Sequence, residues 1–63
     1  MKMYKMVVNV PGVQEEFRYN DRDYALKLWL CWAALIDRLG SGSGSADLYE
    51  WDGEKYVLMM HAD

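Results

Sequence analysis

The sequence is poor in residues that build reactive sites. Its 63 residues include one cysteine, Cys31, one histidine, His61, and one proline. A lone cysteine cannot form an internal disulfide, and its apolar neighbours predict a small buried hydrophobe in a reducing compartment, by default the cytoplasm. A nucleophile-base pair or a metal centre would need partners for His61 that the sequence does not supply. We therefore expect no enzymatic activity, no cofactor and no metal site.

Long hydrophobic runs are also missing. Residues 28–36, LWLCWAALI, contain no polar side chain, but a membrane-spanning helix needs about 20 predominantly apolar residues. The N-terminal stretch MKMYKMVVNV alternates and reaches Pro11-Gly12 without a small-residue cleavage site, so it is interpreted as a strand and not as a signal peptide. We expect no membrane partner.

Positive charge is scarce, and the formal net charge is -3. The acidity lies in residues 46–63, where five acidic residues stand against Lys55. Binding to a phosphate backbone requires a basic stripe, so no direct contact with nucleic acid is expected. A basic protein partner is compatible with this charge. The candidate contacts for such a partner are Glu50, Asp52 and Glu54. The alternative is that these residues are only the solvent-exposed charges of a hairpin.

Apolar residues are plentiful, at 52% of the chain, and they predict that residues 1–63 form a single small domain. Two stretches with a period of two, MKMYKMVVNV and VQEEFRY, flank a Pro-Gly turn and predict a β-hairpin. On the first strand we expect one face to be buried. That face carries Tyr4, Met6, Val8 and Val10.

A helix is predicted from about Asp21 to Leu39. Asn20 or Asp21 can cap its N-terminus, and Gly40 supplies the positive-φ residue that ends it. A wide apolar stripe should lie on the sheet, with Trp32 at its centre. The stripe consists of Ala25, Leu28, Trp29, Trp32, Leu35, Ile36 and Leu39.

The segment GSGSGS, residues 40–45, predicts a flexible connector back to the sheet. Its regularity also suits an engineered loop that replaces a natural one. ADLYEW and EKYVLMM around Asp52-Gly53 then predict a second hairpin. In its last strand, Tyr56, Leu58 and Met60 are expected on one face.

The resulting fold class is α+β, with the order β-β-α-β-β and a four-stranded antiparallel or mixed sheet packed on one helix. The stretches YKMVVN, YEW and KYVL resemble the first strand and second hairpin of the immunoglobulin-binding domains of streptococcal protein G, a β-grasp fold. The resemblance implies that the first and last strands are central parallel neighbours, which would bring together the methionines at the two chain ends. It carries no binding site, because no immunoglobulin-contact residues match.

A second apolar line follows the helix outside the predicted core stripe. Leu26, Leu30 and Ala33 are spaced i, i+4 and i+7, so they lie on one flank. We call these three residues the seam. Scattered surface hydrophobes are one interpretation of the seam. The other is an interface, either with a second copy of the chain or with a foreign protein.

Three functional hypotheses follow. The first is a small non-enzymatic protein-binding module; in size, acidity and absence of motifs the chain resembles phage-encoded inhibitors, such as anti-CRISPR proteins, that occlude a host protein. The second is a homo-oligomerising structural domain, or an engineered or re-looped scaffold, whose seam serves its own assembly. The third is an acidic mimic of nucleic acid, which requires carboxylates at phosphate-like spacing on one face.

Overall fold

The structure, a computed structural model, describes residues 2–40 and 42–63. Within these residues it contains four strands and one helix in the predicted order. The elements are β1 (Tyr4–Val10), β2 (Val13–Tyr19), α1 (Arg22–Leu39), β3 (Ser45–Trp51) and β4 (Tyr56–Ala62). All four strands belong to one sheet that packs on the helix, so the predicted α+β class is confirmed.

The strands lie in the order β2-β1-β3-β4, and every neighbouring pair is antiparallel. Of the two predicted alternatives, antiparallel and mixed, the antiparallel one is correct. The parallel pairing of the first and last strands is wrong, because β3 lies between β1 and β4. Methionines of the two chain ends are therefore not on neighbouring strands. Met6 is buried on β1, Met59 is half-buried on β4, and Met1 lies outside the described residues.

One face of the sheet forms the core, because alternate residues of each strand point to the same side. α1 packs on this face, mainly over β3 and β1 and less over β2. Within the described residues no helix covers the opposite face, which we call the open face. The core residues of the two central strands are the four predicted for β1, namely Tyr4, Met6, Val8 and Val10, together with Ala46 and Leu48 of β3.

α1 begins and ends where the sequence predicts. The carboxylate of Asp21 caps the N-terminus by accepting the backbone N–H groups of Asp23 and Tyr24 at 3.0 and 3.3 Å. At the other end, Gly40 has a φ of 103°, a conformation that favours glycine. Its N–H donates to the carbonyl oxygen of Ile36, so the last turn is closed.

The buried line of α1 is narrower than predicted and consists of Ala25, Trp29 and Ile36. Trp29, and not Trp32, is the central tryptophan. Its indole N–H donates to the backbone oxygen of Ala46 at 3.0 Å, which fixes the helix on β3. Trp32 is half-buried beside this line, so its predicted place at the centre of the core is wrong.

Three apolar residues of α1 are more exposed than predicted. Leu35 and Leu39 belong to the predicted stripe but are exposed, as is Cys31. The reason is geometric: at 100° per residue, Cys31 and Leu35 point about 140° and 100° away from the middle of the buried line, and Leu39 is the last residue of α1. One sheet can cover only one side of a helix, so the apolar run of α1 supplies both core and surface.

The Gly/Ser segment is bonded to the end of α1 and packs closely on β1. The predicted flexible loop, residues 40–45, includes Ser41, which lies outside the described residues. Ser43 donates its N–H and its hydroxyl to the carbonyl oxygen of Gly40, at 3.1 and 2.7 Å. A side chain added at Gly44 would collide with the backbone of β1. The segment therefore contains position-specific contacts.

β4 contains a bulge that the sequence pattern does not reveal. Leu48 pairs with Met60 whereas Tyr49 pairs with Leu58, so Met59 is an extra residue in β4. Because Leu48 is buried towards the helix, Met60 lies on the helix side and Leu58 on the open face. The expected placement of Leu58 and Met60 on one face is therefore wrong, since a bulge interrupts the alternation.

Candidate protein-binding surface

The three seam residues differ in exposure. Leu26 and Ala33 are half-buried and pack against the edge of the core. Leu30 is 60% exposed, more than any other large hydrophobic residue of α1. The seam thus packs against the core along one edge and is exposed to solvent along the other. Its centre, Leu30, is an apolar side chain that the fold leaves mostly exposed.

Aromatic contacts show which way the seam faces. Trp32 stacks on Phe17 of β2 with ring centroids 6.4 Å apart, and Tyr24 meets Tyr19 of β2 edge to face at 5.6 Å. That flank of α1 therefore overlies β2. On a helical wheel the seam lies on the other side of the buried line. Because the strand order is β2-β1-β3-β4, the seam is turned towards β4.

β4 is also incompletely covered. On its helix side, Val57 and Met60 are 44% and 36% exposed. The helix lies mainly over β3 and β1, so this part of the sheet has little above it. We group the seam with Val57 and Met60, the exposed apolar residues on the helix side of the strand towards which it is turned, and call this candidate site the flank surface. Such a surface on a rigid helix and strand is typical of a docking site.

The acidic candidates of the second hairpin are largely occupied within the chain. Lys2 donates to Glu50 at 2.7 Å, and this ion pair raises the pKa of Lys2. The carboxylate of Asp52 accepts the backbone N–H groups of Lys55 and Glu54 at 2.9 and 2.8 Å, and these bonds lower its pKa. Asp52 therefore shapes the turn. Glu54 is exposed.

The open face holds a cluster of cations and aromatic rings that the sequence analysis missed. Tyr56 on β4 accepts a hydrogen bond from Arg18 on β2 at 2.8 Å, although these strands are the opposite edges of the sheet. The ammonium group of Lys5 lies 4.4 Å from the ring centroid of Tyr56 and 5.1 Å from that of Tyr49. These contacts stabilise the side chains across four strands. Sequence alternation places each residue outward, but only the strand order makes them neighbours.

The open face is not basic overall. Lys5 and Arg18 share it with the carboxylates of Glu16 and Asp47, and Arg18 forms an ion pair with Glu16 at 3.2 Å. Exposed rings on a sheet can stack on nucleobases. Phosphate binding, however, needs an excess of cations. The balance of charges makes the flank surface the better candidate for a site.

His61 joins β4 to β3 through Asp47, and it also forms an ion pair with Asp63 at 3.2 Å. The hydrogen bond with Asp47, followed by that with Asp63, raises the pKa of His61 above its ordinary value of 6.5. The imidazolium form is thus favoured in the folded protein. The pair is a structural link between neighbouring strands.

We predict that this link makes stability depend on pH. Because the folded pKa of His61 is the higher one, its contribution to the free energy of unfolding is full below pH 6.5 and disappears as the pH rises through the folded pKa. Urea unfolding of the parent and of His61→Gln at several pH values measures the effect. The parent should lose stability over this window relative to the variant. Parallel curves would contradict the prediction.

Neither a metal cluster nor a membrane span is found in the described part of the chain. No group of three or more His, Cys, Asp or Glu side chains in residues 2–40 and 42–63 could hold a metal ion. Over the same ranges, α1 lacks the apolar length that crossing a bilayer requires. Comparison with protein-family models, curated proteins and solved structures found no match. Inference about function therefore rests on this chain's own surface.

Proposed function

We propose that the protein is a small non-enzymatic protein-binding module that binds its partner through the flank surface. The observation that carries the proposal is Leu30, 60% exposed at the centre of the seam. Leu26 and Ala33 adjoin it along α1, and Val57 and Met60 are exposed apolar residues on the helix side of β4, towards which the seam is turned. Burying such an anchor contributes about 25 cal/mol per Å² of apolar area removed from water.

Where the partner is a foreign protein, docking of the flank surface would occlude the partner's own contact surface. The flank surface belongs to a helix and a strand that pack on one core, so little ordering is needed when it docks. Small size, acidity and the absence of catalytic motifs are shared with phage-encoded inhibitors such as anti-CRISPR proteins. A rigid apolar patch is suited to blocking another protein's contact site.

Mimicry of nucleic acid receives less support. Of the five carboxylates in residues 46–63, four have partners within the chain. Asp47 and Asp63 contact His61, Glu50 contacts Lys2, and Asp52 accepts two backbone N–H groups. A mimic needs free carboxylates in a row, and these side chains are spread over an ion pair, a turn and a strand contact.

We predict that Leu30→Asp abolishes partner binding and leaves the fold intact. Surface substitutions usually change the free energy of unfolding by no more than about 0.5 kcal/mol. A carboxylate in a desolvated contact is far more costly for binding. The measurement compares the parent and the variant, each immobilised, for retention of proteins from a lysate of the native host and of free parent protein.

The matched control is Cys31→Asp. Cys31 is exposed on the same helix but points about 130° away from the middle of the seam, on the side remote from the sheet. The new charge is therefore the same, and only its position relative to the seam differs. A binding partner should be retained by the parent and by Cys31→Asp and lost from Leu30→Asp. Equal retention by all three proteins would show that the flank surface is not the binding site.

A further inference from the structure

The ends of the seam carry opposite charges. Arg22 lies one turn before Leu26, and Asp37 lies one turn after Ala33, so along the flank a basic residue precedes the three apolar seam residues and an acidic residue follows them. At 100° per residue, Arg22 and Asp37 fall on the same side of α1 as the seam. Both are exposed.

Neither charge is satisfied by a partner within the described residues. The ion pairs of residues 2–40 and 42–63 involve neither Arg22 nor Asp37. Glu50, whose partner Lys2 lies near Arg22, is already engaged by that lysine. Asp21 accepts the backbone N–H groups of Asp23 and Tyr24 and so caps the helix.

The seam is complementary to itself. Arg22 and Asp37 are equally far from the midpoint between Trp29 and Leu30, and Leu26 and Ala33 are also equally far from it. If a second α1 packs antiparallel about a two-fold axis at this midpoint, Arg22 faces the Asp37 of the other copy. Each Leu26 then faces an Ala33, and a large residue opposite a small one lets helices approach closely.

We propose that the protein forms a two-fold homodimer in which the seams of two copies pack antiparallel, with Arg22 of each copy paired to Asp37 of the other. This inference rests on the proposed function and names its partner as a second copy of the chain. The two Leu30 side chains meet at the axis. Each contact across a two-fold axis occurs twice, so one Arg22–Asp37 ion pair lies on either side of the apolar centre.

Charge-reversal variants test this arrangement without endangering the fold. Arg22→Asp places an acid in the first turn of α1, and Asp37→Arg places a base in its last turn, and the helix dipole favours both. Each single variant puts two like-charge pairs into its own dimer. We expect its dissociation constant to rise about a hundredfold, since juxtaposed like charges cost several kcal/mol.

The decisive sample is an equal mixture of the two single variants. In the mixed dimer, the aspartate introduced by Arg22→Asp in one copy faces the arginine introduced by Asp37→Arg in the other. The native Asp37 of the first copy then faces the native Arg22 of the second, so both pairs are complementary. We expect a heterodimer from two proteins that are monomeric alone. Sedimentation equilibrium from micromolar to millimolar concentration measures the masses, with a reductant present because Cys31 is exposed.

The outcomes separate this inference from the proposed function. A parent that stays monomeric at every concentration overturns the homodimer. If Leu30→Asp still loses a foreign protein in that case, the binding module stands. A parent dimer that persists unchanged in both single variants and in Leu30→Asp uses another surface and overturns the homodimer; if Leu30→Asp also retains every foreign protein that the parent retains, the proposed function is overturned as well. A mixture that remains monomeric also overturns the antiparallel arrangement.

Discussion

Trp29→Ala is expected to leave most of the protein unfolded. The side chain is 8% exposed and is the largest residue in the core contributed by α1. Replacing a buried tryptophan by alanine costs about 3–5 kcal/mol, because apolar contacts are lost and a cavity remains. The substitution also removes the indole N–H that donates to Ala46. In a domain of this size the core rarely contributes more than about 3–5 kcal/mol of net stability.

Far-UV circular dichroism during thermal and urea unfolding measures this effect. Trp32→Ala is the control, since Trp32 has the same side chain on the same helix but is half-buried and stacks on Phe17 at 6.4 Å. Its variant should remain folded, with a smaller loss of stability. If Trp32→Ala proved the more damaging of the two, the rotation of α1 on the sheet would be wrong.

This pair of tryptophans shows how far the sequence could predict the core. Helical periodicity limits the buried side of α1 to an arc, and Trp29 and Trp32 both lie in it. The choice between them depends on which strands lie below. That order was not readable from the sequence, because an alternating strand has the same pattern at a sheet's centre and beside its edge. The hydrogen bond from the Trp29 indole to Ala46 fixes the rotation of α1 about its axis, but it can be recognised only when the position of β3 in the sheet is known.

The candidate site was predictable to a similar extent. The spacing of Leu26, Leu30 and Ala33 identified a line outside the core stripe, and Leu30 is indeed exposed. The sequence does not predict that Val57 and Met60 belong to the same candidate surface. Their contribution depends on two features without a sequence signal, the position of β4 at the sheet edge and the bulge at Met59. Sequence periodicity describes single elements, whereas this surface arises between two of them.

Gly44→Ala is the second substitution expected to have a large effect. A Cβ atom built on Gly44 would lie 2.5 Å from the carbonyl oxygen of Asn9 and 2.9 Å from the Cα of Val10. These are backbone atoms of β1 at the point where β3 begins, so the clash can be relieved only by moving the β1–β3 pair apart. Overpacking of this kind typically costs about 1–3 kcal/mol, and the involvement of backbone places the expected loss near 3 kcal/mol.

Gly42→Ala separates this clash from the general cost of replacing a glycine in the same loop. A Cβ on Gly42 meets nothing within 4 Å, but its φ of 83° is unfavourable for alanine, so a loss of about 1 kcal/mol is expected. Urea unfolding of both variants provides the comparison. A connector that only spans a gap would tolerate alanine equally at the two positions. A substantially larger loss for Gly44→Ala would instead show that close packing on β1 requires glycine there, whatever the rest of the GSGSGS segment contributes.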